Sequence, residues 1–145
     1  MSTKEVGNFG ERIAEKYLRD KGYQILDKNY SFRLPGSPQK GEIDIVAKKA
    51  DIISFVEVKA LSDRGRAFVI SPEEKVNFGK QRKLVKTAES WLMKNKIALN
   101  SKWQIDVISV MIKEDKSFSF PFAAAWERDG RKAKIWHFEN AVSYV

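Results

Sequence analysis

The stretch Gly41-Glu42-Ile43-Asp44-Ile45-Val46-Ala47, then Lys48-Lys49-Ala50-Asp51, then Ile52-Ile53-Ser54-Phe55-Val56-Glu57-Val58-Lys59-Ala60, decides how this chain is read. Two runs rich in β-branched residues flank a short polar segment, the pattern of a β-hairpin. Closed symmetrically around Lys49 and Ala50, the hairpin sets Asp44 opposite Phe55 and Glu42 opposite Glu57. Side chains alternate along a strand, so Glu42, Asp44 and Val46 are expected on one face with Ile53, Phe55, Glu57 and Lys59. That face then carries three carboxylates and one amine among apolar neighbours. Like charges opposite one another weaken a sheet, and carboxylates taken out of water resist ionisation unless a positive group is near. A divalent cation, with Lys59 assisting, resolves the conflict. An edge hairpin with one solvated face accommodates the same residues without any chemistry, and spacing alone does not separate the two readings.

The order of the residues does more. Asp44 followed by Glu57-Val58-Lys59 at the close of an apolar strand resembles the PD-(D/E)XK nuclease signature, with Ile43 where that signature has its leading proline. The likeness extends along most of the chain. Gly10-Glu11 with Ala14, Tyr17 and Leu18, then Gly22-Tyr23, Ile25-Leu26 and Asn29, resemble in order the YraN family of bacterial proteins. So do Gly41-Glu42-Ile43-Asp44, Phe55 to Lys59, Lys80-Gln81-Arg82-Lys83, Ile105-Asp106-Val107 and His137-Phe138-Glu139-Asn140. That family is regarded as a branch of the PD-(D/E)XK superfamily. The resemblance implies an α/β fold with a restriction-endonuclease-like core, a mixed central sheet flanked by helices. It also implies that Asp44, Glu57 and the backbone carbonyl of Val58 hold Mg²⁺ or Mn²⁺, with Lys59 beside them.

Composition sets the outer bounds. A chain of 145 residues reads as one domain, 1–145, long enough to bury a sizeable core. The absence of cysteine excludes a disulfide framework and a thiolate zinc site, and fits a reducing compartment. The first residues hold no apolar signal segment and no run approaches a membrane span, so a soluble cytoplasmic protein is expected. A net charge of +8 favours a polyanionic partner.

Val6, Phe9, Ile13, Tyr17 and Leu18 recur at helical spacing and Gly22 ends the run. Glu11 falls about 20° from Leu18 around that helix, at the edge of its buried face. In related nucleases an acid here reaches the site on the adjoining sheet; an ordinary boundary glutamate has the same pattern. Tyr23 to Tyr30 reads as a strand, and Leu34 to Lys40 as a loop. Leu61 to Phe68 reads as a basic loop whose arginines are solvated or meet phosphate.

A helix start is expected after Ser71-Pro72-Glu73-Glu74, with a firm helix from Lys80 to Lys94. Seven basic residues between Lys75 and Lys96 stand against Glu89. Lys80, Arg82, Lys83 and Lys86 are the candidates for nucleic-acid phosphates; a solvated face is the alternative. Gln81 projects onto the apolar stripe of Leu84, Val85, Ala88, Trp91 and Leu92, so it needs a hydrogen-bond partner or an exposed helix end. By resemblance, Gln81 or Lys80 holds water or phosphate beside the site.

Trp103 to Ile112 reads as a further strand, Lys116 to Phe122 and Lys134 to Phe138 as edge strands, and Glu127 to Lys132 as a turn. Asp106 is expected to be a structural hydrogen-bonding group and His137 a packing or capping residue. Two classes of function remain: a metal-dependent nuclease with Asp44, Glu57, Lys59, Glu11 and Gln81 as its apparatus and DNA as the favoured substrate, or a non-catalytic nucleic-acid-binding module on the same fold. Some small nucleases of this fold dimerise to cut two strands, so a homodimer is among the expected arrangements.

Overall fold

The computed structural model describes residues 2–62, 78–113, 125–128 and 131–142. The first helix, α1 (Thr3–Asp20), begins where the Ser2 hydroxyl accepts a hydrogen bond from the Glu5 N–H at 3.1 Å. It ends before Gly22, which takes a φ of 94°. Val6, Phe9, Ile13, Ala14 and Leu18 face inward. The chain continues through β1 (Gln24–Arg33), β2 (Lys40–Lys49), β3 (Ile52–Ser62), α2 (Phe78–Lys94), β4 (Trp103–Lys113), β5 (Ala125–Arg128) and β6 (Arg131–Phe138). The expected start signal at 71–74, the strand at 116–122 and most of the loop at 61–68 lie outside the described residues.

Six described strands form one sheet in the order β1-β2-β3-β4-β6-β5. Only β3 and β4 run parallel, joined by the crossover that contains α2; the other neighbours are antiparallel. The sheet is therefore mixed and carries a helix on each face. The α1 side packs Ile45, Ala47, Val56, Ile108, Val110 and Ile112 with the helix. On the α2 side, Ile43, Val46, Ile53, Phe55, Ile105 and Val107 meet Leu84, Ala88, Trp91 and Leu92. The central strands are buried on both faces, which is why they read as nearly continuous apolar runs. No helix among the described residues is long and apolar enough to cross a membrane.

Two features of the hairpin differ from the expectation. Its register pairs Val46 with Phe55 and Lys49 with Ile52, so Ala50 and Asp51 form the turn, with Ala50 at a φ of 53°. The slide of two residues keeps the faces but brings Asp44, not Glu42, level with Glu57. Glu42 points into solvent and pairs with Lys40 at 3.4 Å, so it does not join the other acids. Alternation also breaks at Asp44. Ile43 and Val46 both belong to the α2 side, whereas Ile45 and Ala47 belong to the α1 side.

Candidate active site

The β2–β3 ladder stops at the pair Ile45–Val56. Beyond it, the Val58 N–H donates to the Asp44 Oδ2 at 2.7 Å. A carboxylate thus replaces the main-chain acceptor that a continuing ladder would supply, and Asp44 sits in the gap between two parting strands. The break in alternation has its physical cause here: the side chain takes an in-plane role as acceptor.

Glu57, only 8% exposed, lies beside this gap, and its Oε1 is 3.3 Å from the Lys59 Nζ. Glu11 arrives from α1. That approach depends on Gly10, because a Cβ there would collide with the Ala60 side chain. The helix consequently lies close enough to β3 for the Glu11 carboxyl to hydrogen-bond Asp44. Glu11, Asp44, Glu57 and Lys59 form one cluster, drawn from a helix and two strands.

Burial pushes the Asp44 carboxyl up from the ordinary 3.8 to about 7, with the Glu57 charge adding to the rise. The Val58 N–H opposes that rise, while Glu11 strengthens it through charge and hydrogen bonding. Three carboxyl groups against one ammonium leave the cluster short of positive charge. Its oxygen donors suit a hard divalent cation such as Mg²⁺ or Mn²⁺, and the peptide of Val58 is held against Asp44.

The basic start of α2 rests on the strand that carries Asp44. A Cβ on Gly41 would run into the Thr87 hydroxyl and lie 3.3 Å from the Lys83 Cγ. Thr87 in turn donates its hydroxyl to the Lys83 carbonyl at 2.7 Å. Arg82 and Lys86 are placed on the same helix and are exposed, while Lys83 and Gln81 are half-buried. Lys80 belongs to the described backbone of α2.

A second constellation escaped the sequence reading as a group. Asp106 is fully buried on β4, and its Oδ2 lies 2.8 Å from the His137 Nε2. Its Oδ1 accepts from the Gln104 side chain and the Asn140 N–H, each at 2.9 Å. The His137 Nδ1 lies 3.1 Å from the Tyr17 hydroxyl, and the Tyr23 hydroxyl donates to Glu139 at 3.3 Å. Burial, then the charges of Glu139 and Asp106, pushes the Tyr17 hydroxyl up and the Tyr23 hydroxyl up to about 12. Asp106, His137 and Glu139 offer ligand atoms within 4.8 Å of one another, a group that could hold a metal ion. Each of these residues is already hydrogen-bonded, and together they tie α1, β4 and the segment after β6. Asp106 is thus the hydrogen-bonding group expected, and His137 packs against it. No sequence signal joins residues so far apart along the chain.

Comparison with known proteins matches residues 10–110 to a family described as "Uncharacterised protein family UPF0102", a span that includes Glu11, Asp44, Glu57 and Lys59. A UPF0102 protein of Clostridium tetani is 46% identical over 108 residues, 74% of this chain and 80% of the relative. One from Clostridioides difficile is 40% identical over 116 residues, covering 80% and 93%. One from Alkaliphilus oremlandii is 38% identical over 140 residues, covering 95% and 97%. With its mixed sheet and flanking helices, the chain belongs to the UPF0102 family, the YraN family, within the restriction-endonuclease-like superfamily.

Proposed function

We propose that the protein is a divalent-metal-dependent nuclease that hydrolyses phosphodiester bonds in nucleic acid, with DNA the favoured substrate. One observation carries this reading: a half-buried aspartate in a split between strands, pressed by two further carboxyl groups, one of which, Glu57, is met by a lysine. An arrangement that makes its own aspartate hard to ionise is costly to the fold and fits a site built for a cation.

In this reading Asp44, Glu57 and the Val58 carbonyl hold Mg²⁺ or Mn²⁺. A bound cation supplies positive charge against the scissile phosphate and acidifies water. Lys59, its side chain 23% exposed beside Glu57, orients the attacking water or stabilises charge developing on the phosphoryl oxygens. Glu11 holds a proton or a water at Asp44. Gln81 holds water or phosphate from the start of α2, and Lys80, Arg82, Lys83 and Lys86 neutralise backbone phosphates along that helix. The Asp106 group is less suited to the reacting cation, since its polar atoms already serve one another.

The test is incubation with labelled duplex, single-stranded and branched DNA and RNA in Mg²⁺, Mn²⁺ or EDTA. Metal-dependent cleavage lost in Asp44→Ala and Glu57→Ala supports the nuclease. Salt-sensitive binding with no cleavage of any substrate replaces it with a non-catalytic binding module.

A further inference from the structure

Asp106, His137 and Glu139 do more than tie strands together. The antiparallel register that pairs Ile108 with His137 and Val107 with Phe138 leads on toward Asp106 and Glu139. It brings a carboxylate, an imidazole and a second carboxylate to one place, with ligand atoms within 4.8 Å of one another. Asp106 is fully buried, whereas Glu139 is exposed and opens the group to solvent. The hydrogen bonds here run mostly outward. The Gln104 side chain and the Asn140 N–H hold the Asp106 Oδ1, the Tyr17 hydroxyl lies against the His137 Nδ1, and the Tyr23 hydroxyl holds one oxygen of Glu139. Each ligand is thus fixed through an atom by a partner outside the set, the arrangement that orients side chains around a bound metal.

One hydrogen bond joins two of the ligands, from the His137 Nε2 to the Asp106 Oδ2 at 2.8 Å. Tetrahedral zinc, with bonds of about 2.0–2.2 Å, keeps its ligand atoms about 3.3 Å apart, so this pair opens by about 0.5 Å to admit the ion. We infer that Asp106, His137 and Glu139 form a zinc site, separate from the acids around Asp44. The Asp106 Oδ2, the His137 Nε2 and an oxygen of Glu139 are its ligands, and water fills the fourth position. An imidazole suits zinc, whereas Mg²⁺ and Mn²⁺ favour the all-oxygen set at Asp44. The carboxylate of Asp106 only accepts, so without metal the Nε2 of the neutral ring carries the proton and Nδ1 accepts from Tyr17. Zinc at Nε2 moves that proton to Nδ1, which then donates to the Tyr17 oxygen. The half-buried Tyr17 hydroxyl turns its own proton to water. The ion fastens the segment after β6 to β4, and this role does not depend on the nuclease reading.

His137 is the one histidine of the chain, so ¹⁵N NMR of the imidazole reads this site without overlap. In the full-length wild-type protein at pH 8, the ring proton is expected on Nε2 in EDTA and on Nδ1 once Zn²⁺ is added. Calorimetry with Zn²⁺ uses the protein carrying Asp44→Asn and Glu57→Gln, which removes the other acids, and one site is expected there. Adding Glu139→Gln, at an exposed position that spares the fold, should weaken it by about tenfold or more. Adding Tyr17→Phe, which touches no ligand atom, should weaken it by about 10- to 100-fold. At a hundredfold excess over Kd, Zn²⁺ should raise the unfolding temperature by about 5–10 °C, a rise absent once His137→Gln is added. A ring proton that stays on Nε2 in Zn²⁺, or zinc binding that Glu139→Gln leaves unchanged, overturns the inference and leaves the reading of Asp44 and Glu57 standing.

Discussion

Replacing Asp44 by asparagine should stabilise this protein, and the gain should depend on pH. The folded carboxyl is pushed up from 3.8 to about 7, so between those values the folded state holds a proton that the unfolded chain has released. Stability therefore falls as pH rises through this window and levels off above pH 7, where Asp44 is ionised in both states. A shift of about three units corresponds to about 4 kcal/mol, reduced to about 2 kcal/mol where water entry relieves the charge. The substituted asparagine carries no charge at any pH and keeps an oxygen for the Val58 N–H. In EDTA at pH 8.5 the variant should melt about 5 °C above wild type, and at pH 5 most of that difference should vanish. Urea unfolding at the two pH values gives the free energies directly. An Asp44→Asn protein less stable than wild type at pH 8.5, or offset equally at both pH values, refutes the reasoning.

Three further outcomes follow from the site and its supports. Lys59→Met should slow single-turnover cleavage by about 10²-fold while binding in EDTA changes little; equal cleavage rates would remove Lys59 from the chemistry. Neutralising Arg82, Lys83 and Lys86 together should lower the slope of log affinity against log salt by about 2 to 3, and an unchanged slope makes that face of α2 merely solvated. Gly10→Ala should cost about 1–3 kcal/mol in urea unfolding, because its new methyl meets the Ala60 side chain, and Ala60→Gly should recover part of the loss.

The fold and the acids were legible because they follow from local rules. β-Branched runs mark the hairpin, helical spacing places Glu11 at the border of a buried face, and Glu57 to Lys59 close an apolar strand. The register differs by two residues from the symmetric closure because the turn falls at Ala50-Asp51, where Ala50 adopts a positive φ that alanine does not signal. Alternation could not foresee Asp44, whose carboxylate substitutes for a main-chain acceptor in the sheet plane. Gly10 and Gly41 appear in sequence only as small residues; their role as close-approach points depends on Ala60 and Thr87, which are far along the chain. The Asp106–His137 pair was likewise hidden, since it forms through the antiparallel placement of β6 beside β4.

The most direct test of the central claim is calorimetric titration of Mn²⁺ into the wild-type protein, Asp44→Asn, Glu57→Gln and His137→Gln at pH 7.5. One site is expected in the wild-type and His137→Gln proteins, weakened beyond detection in Asp44→Asn and Glu57→Gln, since each removes a charged oxygen donor. Binding that survives both carboxylate changes and disappears in His137→Gln contradicts the account and assigns the cation to the Asp106, His137 and Glu139 group.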